Sequence, residues 1–148
     1  NKEMESLINH NEVNVIQIPF NLLDNFNSRG KLIEKAVENN IEIHARSVYL
    51  QGLFFKPINK VDDFFNPIKD SLNFIKKLAE KEKISIGNLA LNYVISQSLI
   101  SKVLIGVDSL KQLNENLNYI KYNLNEFSKN NIKKIKISDE KILNPSKW

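Results

Sequence analysis

Short β-branched runs alternate along the chain with longer stretches in which apolar residues recur every three or four positions. The short runs predict strands at about 13–20, 41–48 and 102–105. The periodic stretches predict helices within 1–10, over 31–39 with Ser28 as cap, from Ile68 to Leu78, from Ser85 to Ile95, and over 109–120. The segment 51–67, which contains four Phe, is predicted to be a long loop, and the residues after 120 an irregular tail.

This order of elements predicts an α/β fold in which parallel strands are joined by right-handed helical crossovers. The strands are mostly apolar, which is typical of a sheet covered on both faces. An open doubly wound sheet and a (β/α) barrel both fit, although three strands are few for either. No Gly-rich dinucleotide fingerprint follows a strand, and this disfavours the doubly wound sheet. Residues 1–148 are interpreted as a single partial domain.

The second predicted strand separates polar from apolar residues. Its two faces carry Glu42, His44 and Arg46 against Ile41, Ile43 and Ala45. Such a polar face suits the lumen of a barrel, and His44 is interpreted as a hydrogen-bonded interior histidine rather than a catalytic base. His10, near the end of the first helix, is expected to lie on the surface.

Composition excludes several classes of protein. The 148 residues contain no cysteine, which rules out a disulfide scaffold, a Cys-ligated zinc site and a Cys nucleophile, and is consistent with a cytoplasmic location. No apolar run approaches about 18 residues, so no membrane span is expected. Neither HExxH nor GxSxG is present, and no metal site is predicted.

The formal net charge of +4 comes entirely from residues 129–148. In that region the segment KNNIKKIKI has no Arg or aromatic side chain to contact or stack on bases. Nucleic-acid binding is therefore not expected.

In a parallel α/β protein the functional residues follow the carboxyl ends of the strands. After the third predicted strand, Ser109-x-x-Gln112 fits a capping box, and Gly106 permits a close approach to the backbone. The start of the following helix is a natural anion site, because its first N–H groups are free and its dipole is positive there. The spacing alone favours an ordinary capped helix.

Five segments together resemble the C-terminal half of an aldo-keto reductase. They are VIQIPFNLLD (15–24), IHARSVYLQGLFF (43–55), ISIGNLALNYVIS (84–96), VLIGVDSLKQLNENL (103–117) and NPSKW (144–148). The resemblance implies a (β/α)₈ TIM barrel of which this chain supplies the sixth to eighth strands. It also implies an oxidoreductase that uses NADPH or NADH to reduce an aldehyde, ketone or sugar carbonyl.

The resemblance also assigns cofactor contacts. Gln17 matches the residue that binds the nicotinamide carboxamide, and Arg46 stands where an aromatic ring usually stacks on the nicotinamide. Ser47 and the turn formed by Leu50, Gln51 and Gly52 would line the pyrophosphate. The adenosine end would be held by Ile105, Gly106, Val107, Asp108, Ser109, Gln112, Glu115 and Asn116.

Two positions depart from the family pattern. Arg46 replaces an aromatic residue, although a planar guanidinium can also stack on a ring. Asp108 lies where NADPH-preferring members often carry a basic residue. A carboxylate there would repel a 2′-phosphate, so the NADPH preference is expected to be weakened.

In this family the catalytic Asp, Tyr, Lys and His lie on the first four strands, so no catalytic residue is assigned to this chain. The implied partners are the N-terminal half of its own barrel and a small carbonyl substrate. The chain begins inside a helix without Met and is expected to be part of a longer protein. By itself it is expected to be inactive and, with open strand edges, to self-associate. The alternatives are a non-catalytic binding or regulatory subunit and a free-standing half-barrel phosphate binder.

Overall fold

A computed structural model describes residues 2–9 and 13–148, so His10 lies outside the described part. Its helices are α1 (Lys2–Ile8), α2 (Phe26–Glu38), α3 (Lys69–Glu82), α4 (Ile86–Ile95), α5 (Leu110–Tyr119) and α6 (Glu126–Lys133). Its strands are β1 (Val15–Pro19), β2 (Glu42–Arg46) and β3 (Lys102–Val103). Short 3₁₀ turns occupy Leu50–Phe55, Ile58–Lys60, Asp63–Ile68, Glu140–Leu143 and Pro145–Lys147.

The three strands form a parallel sheet in the order β1-β2-β3, which confirms the α/β class with helical crossovers. In register, Gln17 lies beside His44, which lies beside Lys102. One face of β2 is buried through Ile43 and Ala45.

The other face of β2 is polar, as predicted for a barrel lumen, with Glu42 and Arg46 exposed and His44 half-buried. Among the described residues this face of the sheet is not covered as expected, because Glu42 and Arg46 on β2 and Val15 and Gln17 on β1 are exposed.

Helix α2 begins at Phe26, five residues earlier than predicted, and its cap is Asn25 rather than Ser28. The Asn25 Oδ1 atom accepts a hydrogen bond from the Asn27 N–H group at 2.9 Å. Its Nδ2 atom donates to the carbonyl oxygens of Ile132 and Ile135 at 2.9 and 3.1 Å. Those partners are more than 100 residues away, so the sequence offered Asn25 as a possible cap but could not show what holds it in place.

Other details also differ from the predictions. Strand β3 has two residues instead of four, although the Leu104 N–H group still donates to the Ala45 carbonyl at 2.8 Å. The tail predicted to be irregular contains α6, capped by Asn125. The apolar spacing of the helix from Ser85 to Ile95 also predicts that Ile95 faces inward, but this last residue of α4 is 42% exposed.

The loop at 51–67 divides its aromatic residues between two environments. Phe54 and Phe65 are buried, whereas Phe55 and Phe64 are exposed. Phe65 also packs edge-on against Trp148, with ring centroids 4.8 Å apart, so the C-terminal residue is anchored to this loop.

Helix α5 has the predicted amphipathic pattern, but its apolar side is exposed. We call this side the α5 stripe; it consists of Leu110, Leu113, Leu117 and Ile120, which are 72%, 39%, 50% and 51% exposed. In the part of the chain that the structure describes, no helix has both the length and the hydropathy to cross a membrane.

Candidate functional site

An open cleft of about 910 Å³ lies where β2 and β3 end, between the turn after β2 and helix α5. Eleven residues assigned to the cofactor by resemblance line it: Arg46, Ser47, Leu50, Gln51, Gly52, Ile105, Gly106, Asp108, Gln112, Glu115 and Asn116. Its volume is within the range of small-molecule sites, roughly 300–1,000 Å³. The structure therefore brings together two segments that lie more than 50 residues apart in the sequence.

Three assigned residues lie outside the lining of this cleft. Gln17 is on the exposed face of β1, one strand away from the cleft. Val107 and Ser109 are exposed in the loop before α5, and the Ser109 hydroxyl is used as a helix cap.

The turn at 47–52 forms one wall of the cleft and has an unusual backbone. Ser47, Leu50, Gln51 and Gly52 all have positive φ, at 58°, 46°, 52° and 78°. Residues other than glycine rarely adopt this left-handed conformation, which costs about 1–3 kcal/mol of conformational free energy per residue. Such strain is concentrated at functional sites, and in the sequence only Gly52 hinted at it.

The opposite wall is the start of α5, where Ser109 caps the helix and Gln112 reaches back as predicted, although to the N–H group of Asp108 rather than to that of the cap residue Ser109. The Ser109 Oγ atom accepts from the Gln112 N–H group at 3.2 Å, and Gln112 Oε1 accepts from the Asp108 N–H group at 2.8 Å. The N–H groups of Leu110 and Lys111 belong to the first turn and are not used in helix hydrogen bonds. These two N–H groups, together with the positive end of the helix dipole, can therefore bind an anion.

Open space adjoins this wall at Gly106. A Cβ atom at this position would meet no described protein atom within 4 Å. Contacts within the chain therefore do not explain why position 106 is glycine. A ligand bound against the backbone would explain it, because a side chain would occupy the ligand's place.

A side-chain hydrogen bond joins the two walls. The Tyr49 hydroxyl donates to Asn116 Oδ1 at 2.5 Å, and Asn116 is buried. Burial raises the pKa of Tyr49 to about 12, and the nearby Tyr119 contributes to the shift. The hydroxyl therefore remains a donor at neutral pH. The Asn116 amide N–H groups remain as the donors that a ligand could use.

Sequence reasoning missed the aromatic end of the cleft, which is lined by Tyr49, Phe55 and Tyr119. The rings of Tyr49 and Phe55 lie 5.4 Å apart at a tilt of 56°. Only their positions beside the assigned residues could have suggested them, because Phe55 is one of four Phe in the predicted loop and Tyr119 lies within a predicted helix.

Removing the Tyr49 hydroxyl tests the bond between the walls. We expect Tyr49→Phe to lower the free energy of unfolding of the chain by about 1–3 kcal/mol, because the buried Asn116 oxygen loses its donor. Urea unfolding at one fixed protein concentration measures this. Tyr119→Phe is the matched control, since no described residue is hydrogen-bonded to that hydroxyl; equal losses in the two variants would contradict the expectation.

On the polar face of the sheet, His44 is hydrogen-bonded, as the sequence predicted. Its Nε2 atom lies 2.9 Å from Glu42 Oε2, and the Lys102 Nζ atom lies 3.9 Å from the same oxygen. The hydrogen bond to His44, with a smaller contribution from Lys102, lowers the pKa of Glu42. Among the described residues, no group of three or more His, Asp or Glu could hold a metal ion.

Comparison with known proteins places this fold. The family whose sequence pattern matches is the "Aldo/keto reductase family", over residues 2–139. A search of curated protein sequences gives no match.

Several solved structures share the fold. The holo form of aldo-keto reductase AKR11C1 from Bacillus halodurans has a TM-score of 0.73 and 19% identity, over 93% of this chain and 47% of that one. The glycerol dehydrogenase AKR11B4 from Gluconobacter oxydans has a TM-score of 0.61 and 20% identity, over 82% of this chain and 41% of that one.

The chain thus spans about half the length of the structures it matches. Its parallel sheet and helical crossovers correspond to half of an aldo-keto reductase barrel. The chain belongs to the aldo/keto reductase family.

Proposed function

We propose that the protein containing this chain is an NADPH- or NADH-dependent oxidoreductase that reduces an aldehyde, ketone or sugar carbonyl. This chain supplies its cofactor-binding half, and the catalytic residues come from the N-terminal half of the barrel. The observation that carries the proposal is the cleft itself, which combines a strained turn, a helix start and an aromatic end at the carboxyl ends of parallel strands.

The residues of the cleft fit a dinucleotide part by part. The turn at 47–52 suits the pyrophosphate, and the first-turn N–H groups of α5, which lie in the chain between the lining residues Asp108 and Gln112, suit a phosphate at the adenosine end. Tyr49, Phe55 and Tyr119 offer aromatic surface, and Glu115 and Asn116 offer an acceptor and donors for a purine. When bound, the nicotinamide supplies the hydride; the part of this chain is to hold and orient the dinucleotide.

Position 106 gives a direct test, because Gly106 lines the cleft and a Cβ atom there would meet no described protein atom within 4 Å. In fluorescence titrations of the intact protein with NADPH and NADH, we expect Gly106→Leu to weaken binding by about tenfold or more. Its thermal unfolding midpoint should not change, which separates a blocked site from a damaged fold. Binding of neither dinucleotide by the unaltered protein would refute the proposal, and binding without reduction of any carbonyl would favour the non-catalytic alternative.

Asp108 is proposed to set the choice between the two dinucleotides. It is exposed at the cleft beside the start of α5. We expect Asp108→Arg to shift the ratio of the NADPH and NADH affinities toward NADPH by roughly tenfold to a hundredfold, since one charge near the 2′-phosphate changes sign. Titration of both dinucleotides at low and high salt measures the ratio and its screening.

Asp70→Arg is the matched control for this change of charge. Asp70 is exposed in the first turn of α3, outside the cleft lining. An identical shift in both variants would mean that overall charge, rather than position 108, governs the preference.

A further inference from the structure

A second cavity, of about 410 Å³, opens at the carboxyl ends of β1 and β2. Pro19 and Arg46, the last residues of those strands, line one side, and the C-terminal segment 137–147 lines another. Arg46 also lines the large cleft, so the two cavities meet at this side chain. If the large cleft holds a dinucleotide, the second cavity is the adjoining space in which a reacting carbonyl compound would lie.

Arg46 has unused hydrogen-bonding capacity at this junction. Its Nη1 atom donates to Ser47 Oγ at 3.0 Å, and no other described residue accepts a hydrogen bond from it. No carboxylate of the described residues lies within 4.0 Å of its guanidinium. An exposed guanidinium with free N–H groups is suited to bidentate binding of a carboxylate or phosphate.

None of the other described charged residues that line the cavity forms an ion pair with Arg46. Arg29 is bound to Asp24 through two hydrogen bonds of 2.7 and 2.6 Å, so that pair is already matched. Glu140 acts on the same pair, because its charge contributes to raising the pKa of Asp24. The remaining lining residues with charge are Lys141, Lys147 and Glu3.

We propose that the second cavity binds the anionic group of the substrate, a carboxylate or a phosphate on a short carbonyl compound, and that Arg46 is its main contact. This inference rests on the proposed function. It makes Arg46 a residue that determines substrate specificity, in addition to any stacking on the cofactor.

The test compares matched substrates in the intact protein. The comparison of 4-oxobutanoate with butanal measures the effect of a carboxylate on kcat/KM. The comparison of glyceraldehyde 3-phosphate with glyceraldehyde measures the effect of a phosphate. We expect a higher kcat/KM for the anionic member of at least one pair, and the pair that responds identifies the group. Because Arg46 also lines the cofactor cleft, the diagnostic quantity is the ratio of kcat/KM for the anionic substrate to that for its neutral partner, which Arg46→Gln should lower by about 10- to 100-fold. Lys77→Gln, on the exposed face of α3, is the control.

The outcomes separate this inference from the proposed function. Equal losses for charged and neutral substrates in Arg46→Gln, together with weaker dinucleotide binding, would assign Arg46 to the cofactor alone and overturn the inference. If no carbonyl compound is reduced, the proposed function fails, and calorimetry still decides the anion site. Binding of 4-hydroxybutanoate or inorganic phosphate that Arg46→Gln abolishes supports the site; no binding of either overturns it.

Discussion

Replacing Arg29 with Met is expected to lower the free energy of unfolding by about 3–5 kcal/mol. The Asp24 carboxylate is 1% exposed, and Arg29 binds both of its oxygens. Without the guanidinium, the charge of Asp24 would remain buried beside β1 with its main compensation removed. Urea or thermal unfolding measures the loss.

The loss of stability in Arg29→Met should increase with pH. Burial raises the pKa of Asp24, and the hydrogen bonds and charge of Arg29 work against that shift. Because the folded pKa lies above the unfolded value, ionisation of Asp24 costs stability as pH rises through the folded pKa. Arg29→Met raises that pKa further, so the difference from the unaltered chain should be larger at pH 8 than at pH 5.

Two controls isolate the buried pair. The double variant Asp24→Asn, Arg29→Met removes both charges and should recover most of the lost stability. Lys129→Met breaks the ion pair with Glu126, whose carboxylate is 78% exposed, and should cost less than about 1 kcal/mol. A loss in Arg29→Met no larger than in Lys129→Met would contradict a cost that comes from burial.

The sequence predicted those features of the structure that depend on residues close together in the chain. The cap bond of Ser109 and the back bond of Gln112 lie within four residues, and both are present, although Gln112 binds the Asp108 N–H group rather than that of Ser109. Asn25, which caps α2, is held by the carbonyl groups of Ile132 in α6 and of Ile135 just after it, and the prediction of this boundary was wrong. The spacing of apolar residues indicates contacts within about two helical turns, whereas hydrogen bonds between distant segments do not alter that spacing.

The candidate site also contains features that the sequence predicted and features that it could not predict. Resemblance selected the residues of the turn after β2 and of the start of α5, and the structure brings most of them to one cleft. It could not show that Ser47, Leu50 and Gln51 have left-handed backbones, because none of these residue types favours that region. The bond between Tyr49 and Asn116 was hidden for the same reason as the Asn25 contacts, since 67 residues separate its partners. The binding of a cofactor at these residues stays a prediction.

The 148-residue chain alone is expected to self-associate through the α5 stripe. Its four apolar side chains are 39–72% exposed on one side of a helix. Burying one such side chain fully is worth about 1.5–3 kcal/mol, so covering the stripe is strongly favourable. In the proposed intact barrel the N-terminal half covers it; without that half, a second copy of the chain is the available apolar surface.

Sedimentation velocity over a range of concentrations measures this association, and the double variant Leu113→Glu, Leu117→Glu should weaken it by about a hundredfold or more. The matched control is Val37→Glu, Phe74→Glu, which places the same charges at apolar residues of α2 and α3 that are 37% and 41% exposed. If the control disperses the chain equally, added charge rather than the α5 stripe is responsible. If association persists in both variants, the open edges of β1 and β3 hold the copies together instead. A chain that stays monomeric at high concentration would contradict the expectation altogether.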